Sequence, residues 1–460
     1  MANSSTVLGV MPKSWEAIAE ARHVVAIVGG AVAGSEAAAC FVKRGILPIV
    51  IEQNKKPYGK IEDGLPRWHA KLREAEYGKI NENLSHPEVA FLPNTKLGES
   101  LSIKALLDEW AVTAVVLANG AWRDRSLGIE KVDQFIDKGL VYQNSFVYWF
   151  NHCLESGYSG PRYEVKDGTV VVGGGLASVD VAKIINFELY GRALKQRGIE
   201  VDVESFEHRG IPAVLEAHGL SQEELGIKGA RLFYRRSKQD MPLASIPEGA
   251  SAEQIAKVRV ARERIINKVI EKYLVNFEEK RVPVGYIEDN GRLVGLRFAQ
   301  TEIVDGRVRT LPDTEINVHA PLVVSSIGSI PEPLAEIPCR GELFHWKDWN
   351  TGELEGVSRV FGLGNVLTGK GNIKDSRKNA KQISEGIMSR YLGEQSSEAV
   401  DAAVDAAHDV IANKAEQVAE QLSDMRKRSP SEIKELSQKV DQLQRAAGYD
   451  GDYSSWVAQP

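Results

Sequence analysis

Two glycine-rich turns, each fed by a run of apolar β-formers and followed by a helical pattern, lie about one domain apart, at residues 23–39 (HVVAIVGGAVAGSEAAA) and 169–184 (TVVVGGGLASVDVAKI). A strand that enters a tight turn and then a helix directs the helix's unpaired N–H groups and positive dipole end beyond the strand, where a pyrophosphate fits. Two such units restrict the chain to an α/β architecture with parallel sheets. A polypeptide that holds two dinucleotides facing each other usually moves electrons between them, most often from a nicotinamide to a flavin.

Size allows this plan. The 460 residues suffice for two or three domains, and 43% hydrophobic with 26% charged content is that of a globular protein. No window reaches the roughly 18–20 apolar residues of a membrane span, and the first twenty residues lack a basic start followed by an apolar core. The chain therefore reads as cytoplasmic. The three cysteines, Cys40, Cys153 and Cys339, form no CxxC pair. This argues against a redox dithiol, a four-cysteine iron–sulfur cluster and a disulfide framework, and leaves each cysteine as a packed small hydrophobe. A net charge of −6 gives no general attraction to nucleic acid or anionic membrane.

Along the chain, residues 23–28 read as a buried strand, 34–44 as a helix and 47–52 as a second strand, giving one βαβ unit. Short strands follow near 89–92 and 114–118. A second βαβ unit begins at 169, its helix running to about 196, with a strong strand at 230–236 and later strands near 284–287, 292–299 and 315–326. Residues 359–364 lead into another glycine-rich turn and a helix from about 374 to 392. The organisation is two Rossmann-like dinucleotide-binding domains, the second inserted into the first. The expected boundaries are an N-terminal segment 1–21, a first domain 22–145, the inserted domain 146–328, the resumed first domain 329–395 and an α-helical extension 396–460. In that extension Val400, Val404, Ala407, Ile411, Ala415, Val418, Leu422 and Met425 form one apolar stripe. A capping box at Ser429–Glu432 starts a helix carrying Ile433, Leu436, Val440 and Leu443. Two readings are open: the hairpin packs on the body, or it is an oligomer or partner contact.

In the first turn Gly29 makes the tight bend and Gly34 lets the helix pack against the strand, while Ala31 takes the position where a glycine normally lets the pyrophosphate touch the backbone. Glu52 lies 23 residues after Gly29 at the end of the second strand, where a carboxylate accepts both ribose hydroxyls of an adenosine. In the second turn Gly173 and Gly175 keep the first two fingerprint glycines and Ser178 replaces the third. Its adenosine preference depends on the neighbouring strand. If that strand is 198–203, Glu200 or Asp202 meets a free ribose; if it is 230–236, the favoured reading, Arg235 and Arg236 clamp a 2′-phosphate.

The run 64–69 (GLPRWH), then His86-Pro87-Glu88-Val89, then 115–120 (VVLANG) and 122–128 (WRDRSLG), and 231–242 (RLFYRRSKQDMP), resembles the adrenodoxin reductase-type NADPH–ferredoxin reductases. It is also similar to the flavin (small) subunit of bacterial glutamate synthase. The similarity covers about residues 22–395. It implies FAD at Gly29, Ala31, Gly34, Glu52 and Gly120, and NADPH at Gly173, Gly175, Ser178, Arg235 and Arg236. It further implies a closing flavin turn at Gly364, Asn365, Gly371, Asn372 and Ile373. Gly64…His69 matches the family's spacing from a glycine to a histidine near the flavin, so His69 is the candidate catalytic residue beside the flavin, weighed against an ordinary loop histidine. Two residues depart from the pattern: Asn365 stands where adrenodoxin-type members often have Trp, and Asn119 where many have Thr. The cysteine-rich iron–sulfur region of the glutamate synthase subunit does not occur in these residues.

The expected activity is hydride transfer from NADPH to FAD, then single-electron delivery to ferredoxin or another iron–sulfur carrier. Lys257, Arg259, Arg262, Arg264 and Lys268 are a candidate docking face for an acidic partner, or a solvated helix face. The alternatives are a flavin subunit serving a catalytic partner subunit through residues 396–460, and a non-catalytic nucleotide-binding subunit.

Overall fold

A computed structural model of the chain describes residue 15 and residues 18–244, 246, 249–349, 351–367 and 397–459, with the backbone alone for 397–407. The expected helix at 374–392 lies outside the described residues.

The first βαβ unit forms as expected: strand β1 (Val24–Val28), helix α1 (Val32–Lys43) and strand β2 (Leu47–Ile51), with every residue of both strands buried. Helix α2 (Gly59–Asp63), helix α3 (Ala70–Leu84), β3 (Ala90–Leu92) and β4 (Ala114–Leu117) follow. The chain then leaves through β5 (Arg123–Asp124) and enters β6 (Leu140–Tyr142) and α4 (Gln143–His152). The second glycine-rich turn joins β7 (Val170–Gly173) to α5 (Leu176–Lys195), after which come α6 (Val203–Arg209), β8 (Arg231–Phe233), α7 (Ala252–Tyr273) and β9 (Asn276–Glu278). Four antiparallel strands, β10 (Arg281–Asp289), β11 (Arg292–Val304), β12 (Arg307–Thr310) and β13 (Ile316–His319), precede β14 (Val323–Ser326) and β15 (Ser329–Ile330). The chain ends with β16 (Trp346–Asp348), β17 (Glu353–Leu354) and β18 (Val360–Gly362), then α8 (Ser397–Leu422), α9 (Pro430–Ala446) and α10 (Tyr453–Ala458).

Pairing confirms two doubly wound sheets. The first runs β3-β2-β1-β4-β18, all parallel, extended at the β18 edge by antiparallel β17 and β16. The second runs β9-β8-β7-β14-β6, all parallel. Since β18 follows the whole second unit in sequence yet completes the first sheet, that unit is an insertion. The outgoing and returning strands, β5 and β15, pair antiparallel as a two-stranded ribbon.

Two expectations need correction, and one open alternative is decided in favour of 230–236. Residues 140–142, placed in the first domain on sequence, hydrogen-bond into the second sheet beside β14, so the chain crosses over before residue 140 rather than at 146. The stretch 198–203 is no strand, because Asp202 caps α6 by accepting from the Ser205 amide at 2.6 Å, and a capping residue commits the chain to a helix start. Residues 315–326 form two strands, broken where Ala320 and Pro321 turn the chain from the antiparallel sheet into the parallel one. A turn beginning at Pro321, which has no N–H to donate to a ladder, explains the break.

The helical extension covers both faces of the first sheet. On one face Ile433, Leu436 and Val440 of α9 join Val24, Ala26 and Val28; on the other, Ala415, Val418 and Leu422 of α8 join Val25, Ile27 and the α1 residues Ala37, Ala38 and Phe41. Strand alternation separates the two sets. Each buried Val, Leu or Ile side chain contributes about 1.5–3 kcal/mol, so the stripe positions described here hold the extension to the body, as the packing reading expected. The side chains of Val400, Val404 and Ala407 lie outside the described residues.

Candidate functional site

At the first turn the fold itself demands glycine. Gly29 has φ +99, and a Cβ on it would come within 2.7 Å of the Ala118 carbonyl oxygen; one on Gly34 would come within 1.8 Å of the Gly29 oxygen. Gly34 thus serves the packing of α1 on the turn. Ala31 is the N-cap of α1; it makes no side-chain cap bond, and no acidic residue occupies the first helical turn. The methyl that interrupts the glycine fingerprint faces Gly59, where a Cβ would lie 3.0 Å from it. The amides at the start of α1 are therefore left for a ligand.

A cavity of about 270 Å³ opens beyond this turn, and its wall includes Gly29, Ala31, Glu52, Gly120, Gly364 and Asn365. Residues separated by more than 300 positions in sequence meet there because β1, β2, β4 and β18 are neighbours in one sheet. Glu52 is 5% exposed; its Oε2 accepts from the Gly30 amide at 2.9 Å and its Oε1 from the Asn54 amide at 2.9 Å. Burial pushes its pKa up, opposed by those amide bonds. Asn119 Oδ1, on the same wall, is buried and has no hydrogen-bond partner among the described residues. An unpaired buried acceptor on a cavity wall is able to take a donor from a bound molecule. Gly371, Asn372 and Ile373 lie outside the described residues.

Sequence reasoning missed part of this wall. Lys60, from α2, donates to Asn144 Oδ1 and to Ser329 Oγ, each at 3.0 Å, and its Nζ lies 5.5 Å from the centre of the Trp122 ring. Burial draws its pKa down to about 8, with Asp124 partly opposing. Ile411, from α8, also faces the cavity.

At the second turn, a Cβ on Gly173 would come within 2.3 Å of the Ser326 oxygen, and one on Gly174 within 2.0 Å of the Tyr234 ring. Gly175, the N-cap of α5, differs: a Cβ there meets nothing within 4 Å among the described residues. The fold does not need glycine at 175, whereas a ligand approaching the backbone does. Ser178 is fully buried and donates to the Gly175 carbonyl at 2.6 Å, so the third fingerprint position closes the turn rather than facing outward.

The strand beside β7 is β8, which puts Tyr234, Arg235 and Arg236 directly beyond its carboxyl end. The two arginines line an open cleft of about 550 Å³ together with Lys238 and Lys280. Arg235 is exposed, while Arg236 donates to the Gly306 carbonyl at 3.0 Å.

His69 stands apart from the cavity wall. It is 2% exposed, accepts from Trp68 Nε1 at 2.9 Å, and its Nε2 lies 3.9 Å from Asp180 Oδ2 of α5. Asp180 is 3.5 Å from the wholly buried Lys183, which pairs with Glu207 at 2.5 Å. His69 thus joins the first domain's loop to the second domain's dinucleotide helix.

The basic residues of α7 are partly committed to local partners. Lys257 pairs with Glu253 at 2.8 Å, Arg259 with Asp240 at 3.7 Å, and Arg262 donates to the Ala244 carbonyl at 2.6 Å. Among the cysteines Cys40 is buried as expected, but Cys339 is exposed on a short strand at the surface. Among the described residues no helix is long and apolar enough to cross a membrane, and no group of His, Cys, Asp and Glu is placed to hold a metal ion.

No family model matches the chain. Over 255 residues it is 29% identical to the mitochondrial NADPH:adrenodoxin oxidoreductase of Arabidopsis thaliana, a match covering 52% of this chain and 50% of that protein. The chain thus spans about half the length of that relative. Over 380 residues it is 23% identical to the small chain of NADPH glutamate synthase from Halomonas elongata, covering 79% of this chain and 67% of that one. Among solved structures, FprA from Mycobacterium tuberculosis superposes with a TM-score of 0.57 at 19% identity, covering 85% of this chain and 90% of that one. The complex of the same protein with NADPH gives 0.56 at 18% identity. The chain resembles the adrenodoxin reductase-type reductases and shares their two-domain dinucleotide-binding fold.

Proposed function

We propose that this chain is an FAD-dependent oxidoreductase that takes hydride from NADPH and passes electrons singly to a ferredoxin-like acceptor. The observation that carries this reading is that one chain places two unlike glycine-rich turns, each at the end of a parallel strand, in two sheets joined by the β5–β15 ribbon. The first has a buried carboxylate, Glu52, at the end of β2; the second has two arginines beyond the end of the equivalent strand β8. A carboxylate suits the free ribose of FAD, and guanidinium pairs suit the 2′-phosphate of NADPH.

The residues present fit FAD. The uncapped amides at the start of α1 would hold its pyrophosphate, Glu52 a ribose, and the unpaired Asn119 oxygen a donor of the ligand. FAD when bound supplies the conversion from two-electron to one-electron transfer. The chain's own work is placement: the α5 turn with Gly175 holds the second pyrophosphate, Arg235 and Arg236 orient the adenosine end, and the ribbon fixes one domain against the other. His69, which accepts from Trp68 Nε1 and lies beside Asp180 of α5, positions the loop of the first domain at the junction between domains. We assign residues 22–139 and 329–395 to the FAD-binding domain and 140–328 to the NADPH-binding domain.

A second reading, a flavin subunit that serves a catalytic partner, draws support from the 79% of this chain matched by the glutamate synthase small chain. Anaerobic absorbance titration of the purified protein with NADPH and then NADH tests the main reading. Flavin bands that bleach preferentially with NADPH support it, and a colourless protein that takes up no FAD overturns it. Co-purification with a stoichiometric partner would favour the second reading.

A further inference from the structure

The helical extension was expected to pack on the body or to meet a partner, and α8 does something more local. Its residues Ala415, Val418 and Leu422 insert among Ala37, Ala38 and Phe41. Ile411, one turn earlier, is 5% exposed and faces the cavity that holds Gly29, Ala31 and Glu52.

The position of Ile411 is fixed by polar contacts on α1, the helix whose first turn forms the anion-binding end of the cavity. His408 Nδ1 lies 2.5 Å from Glu36 Oε1, and its Nε2 lies 3.2 Å from Glu76 Oε2 on α3. Further along, Glu416 pairs with Arg44 and accepts from Cys40 Sγ at 3.2 Å, while Arg44 also reaches Glu420 at 3.8 Å. These contacts bracket Ile411 in sequence. A side chain held this way is a preformed wall rather than a passing neighbour.

We infer that α8 is a constituent of the cofactor site, with Ile411 in apolar contact with the bound FAD. This rests on the reading of the cavity as the FAD site. An aliphatic side chain facing a cavity loses its last contact with water when the cavity fills, which favours binding. By linkage, FAD in turn stabilises the placement of α8.

The test measures FAD affinity of the full-length protein, by quenching of FAD fluorescence on addition of the apoprotein, for wild type, Ile411→Ala, Ile411→Val and Val418→Ala. Val418 is buried in the same helix, in the core cluster that holds Phe41 and off the cavity wall, so its truncation reports on loosening of α8. The expected result is a dissociation constant raised about tenfold by Ile411→Ala, in line with losing roughly two buried methylene contacts, a smaller rise for Ile411→Val, and for Val418→Ala only the small rise that linkage to α8 placement carries, well below that of Ile411→Ala. Hydrogen exchange of amides 408–422 in wild type slows when FAD is added. Unchanged affinity in both Ile411 variants overturns the inference, and so does an equal loss in Val418→Ala. If wild type itself takes up no FAD, the underlying cofactor assignment fails and this inference falls with it.

Discussion

The Lys60 ammonium donates to the Ser329 hydroxyl at 3.0 Å, tying the wall of the first cavity to the strand on which the chain returns from the inserted domain. Its second acceptor, Asn144 Oδ1, belongs to the inserted domain's first helix, and that Asn144 in turn donates to the Trp122 carbonyl at 2.7 Å. One half-buried cation therefore ties together both domains and both arms of the crossover.

Burial draws the Lys60 pKa from 10.5 to about 8, so the folded protein binds this proton less tightly than the unfolded chain. Between pH 8 and 10.5 the unfolded state holds the extra proton, and stability rises with pH through that window. Replacing Lys60 by Met removes this dependence. The wild-type minus Lys60→Met difference in unfolding free energy is expected to grow by about 3 kcal/mol across the window, read from denaturant melts at successive pH values. A flat difference would contradict the burial of a charged Lys60.

His408 has the opposite sign. Burial resists charging, but hydrogen bonds and charges from Glu36 and Glu76 outweigh it and raise the imidazole's pKa from 6.5 to about 9. Its stabilisation is fully present below pH 6.5 and lost as the pH climbs through 9. His408→Gln should therefore be destabilising by about 3 kcal/mol at pH 6 and much less at pH 9.5. A cost independent of pH would show that the imidazole contributes by packing rather than by charge.

Much of this was legible in the sequence because the signals are local. The two turns, the buried strands that feed them and the carboxylate at Glu52 follow from periodicity and glycine chemistry over a few dozen residues. The second strand of the inserted domain was open between 198–203 and 230–236, since both carry alternating β-formers and charges; the pairing of β8 with β7 and the capping by Asp202 decide it. Lys60 was not legible, because its acceptors lie 84 and 269 residues away. Ile411 was seen as one member of an apolar stripe, and helical period gives no indication of which surface each member meets. The break at Pro321 could have been read from the missing N–H.

The two fingerprint glycines Gly34, in the first turn of α1, and Gly175, the N-cap of α5, should behave differently on substitution. Gly34→Ala places a methyl 1.8 Å from the Gly29 oxygen, so the turn must move and the fold itself should suffer, by several kcal/mol. Gly175→Ala meets nothing within 4 Å among the described residues, at φ −92, a backbone conformation alanine adopts freely. Its melting temperature should match wild type while affinity for NADPH falls at least tenfold. Undiminished NADPH binding by a well-folded Gly175→Ala protein would remove the α5 turn from the nucleotide site.

Arg235 and Arg236 are adjacent in sequence but differ in freedom, and that difference predicts which one reads the phosphate. Arg236 spends a donor on the Gly306 carbonyl, whereas Arg235 is exposed at the mouth of the same cleft. A charge-assisted contact to a phosphate contributes about 1.5–3 kcal/mol, equivalent to roughly 10- to 150-fold in affinity. Arg235→Ala should therefore raise KM for NADPH by about that factor while leaving KM for NADH nearly unchanged, and Arg235→Lys should recover part of the loss because the charge remains but the planar fork does not. Steady-state kinetics with both nucleotides at constant ionic strength decides the matter: equal effects on NADPH and NADH would place Arg235 away from the 2′-phosphate.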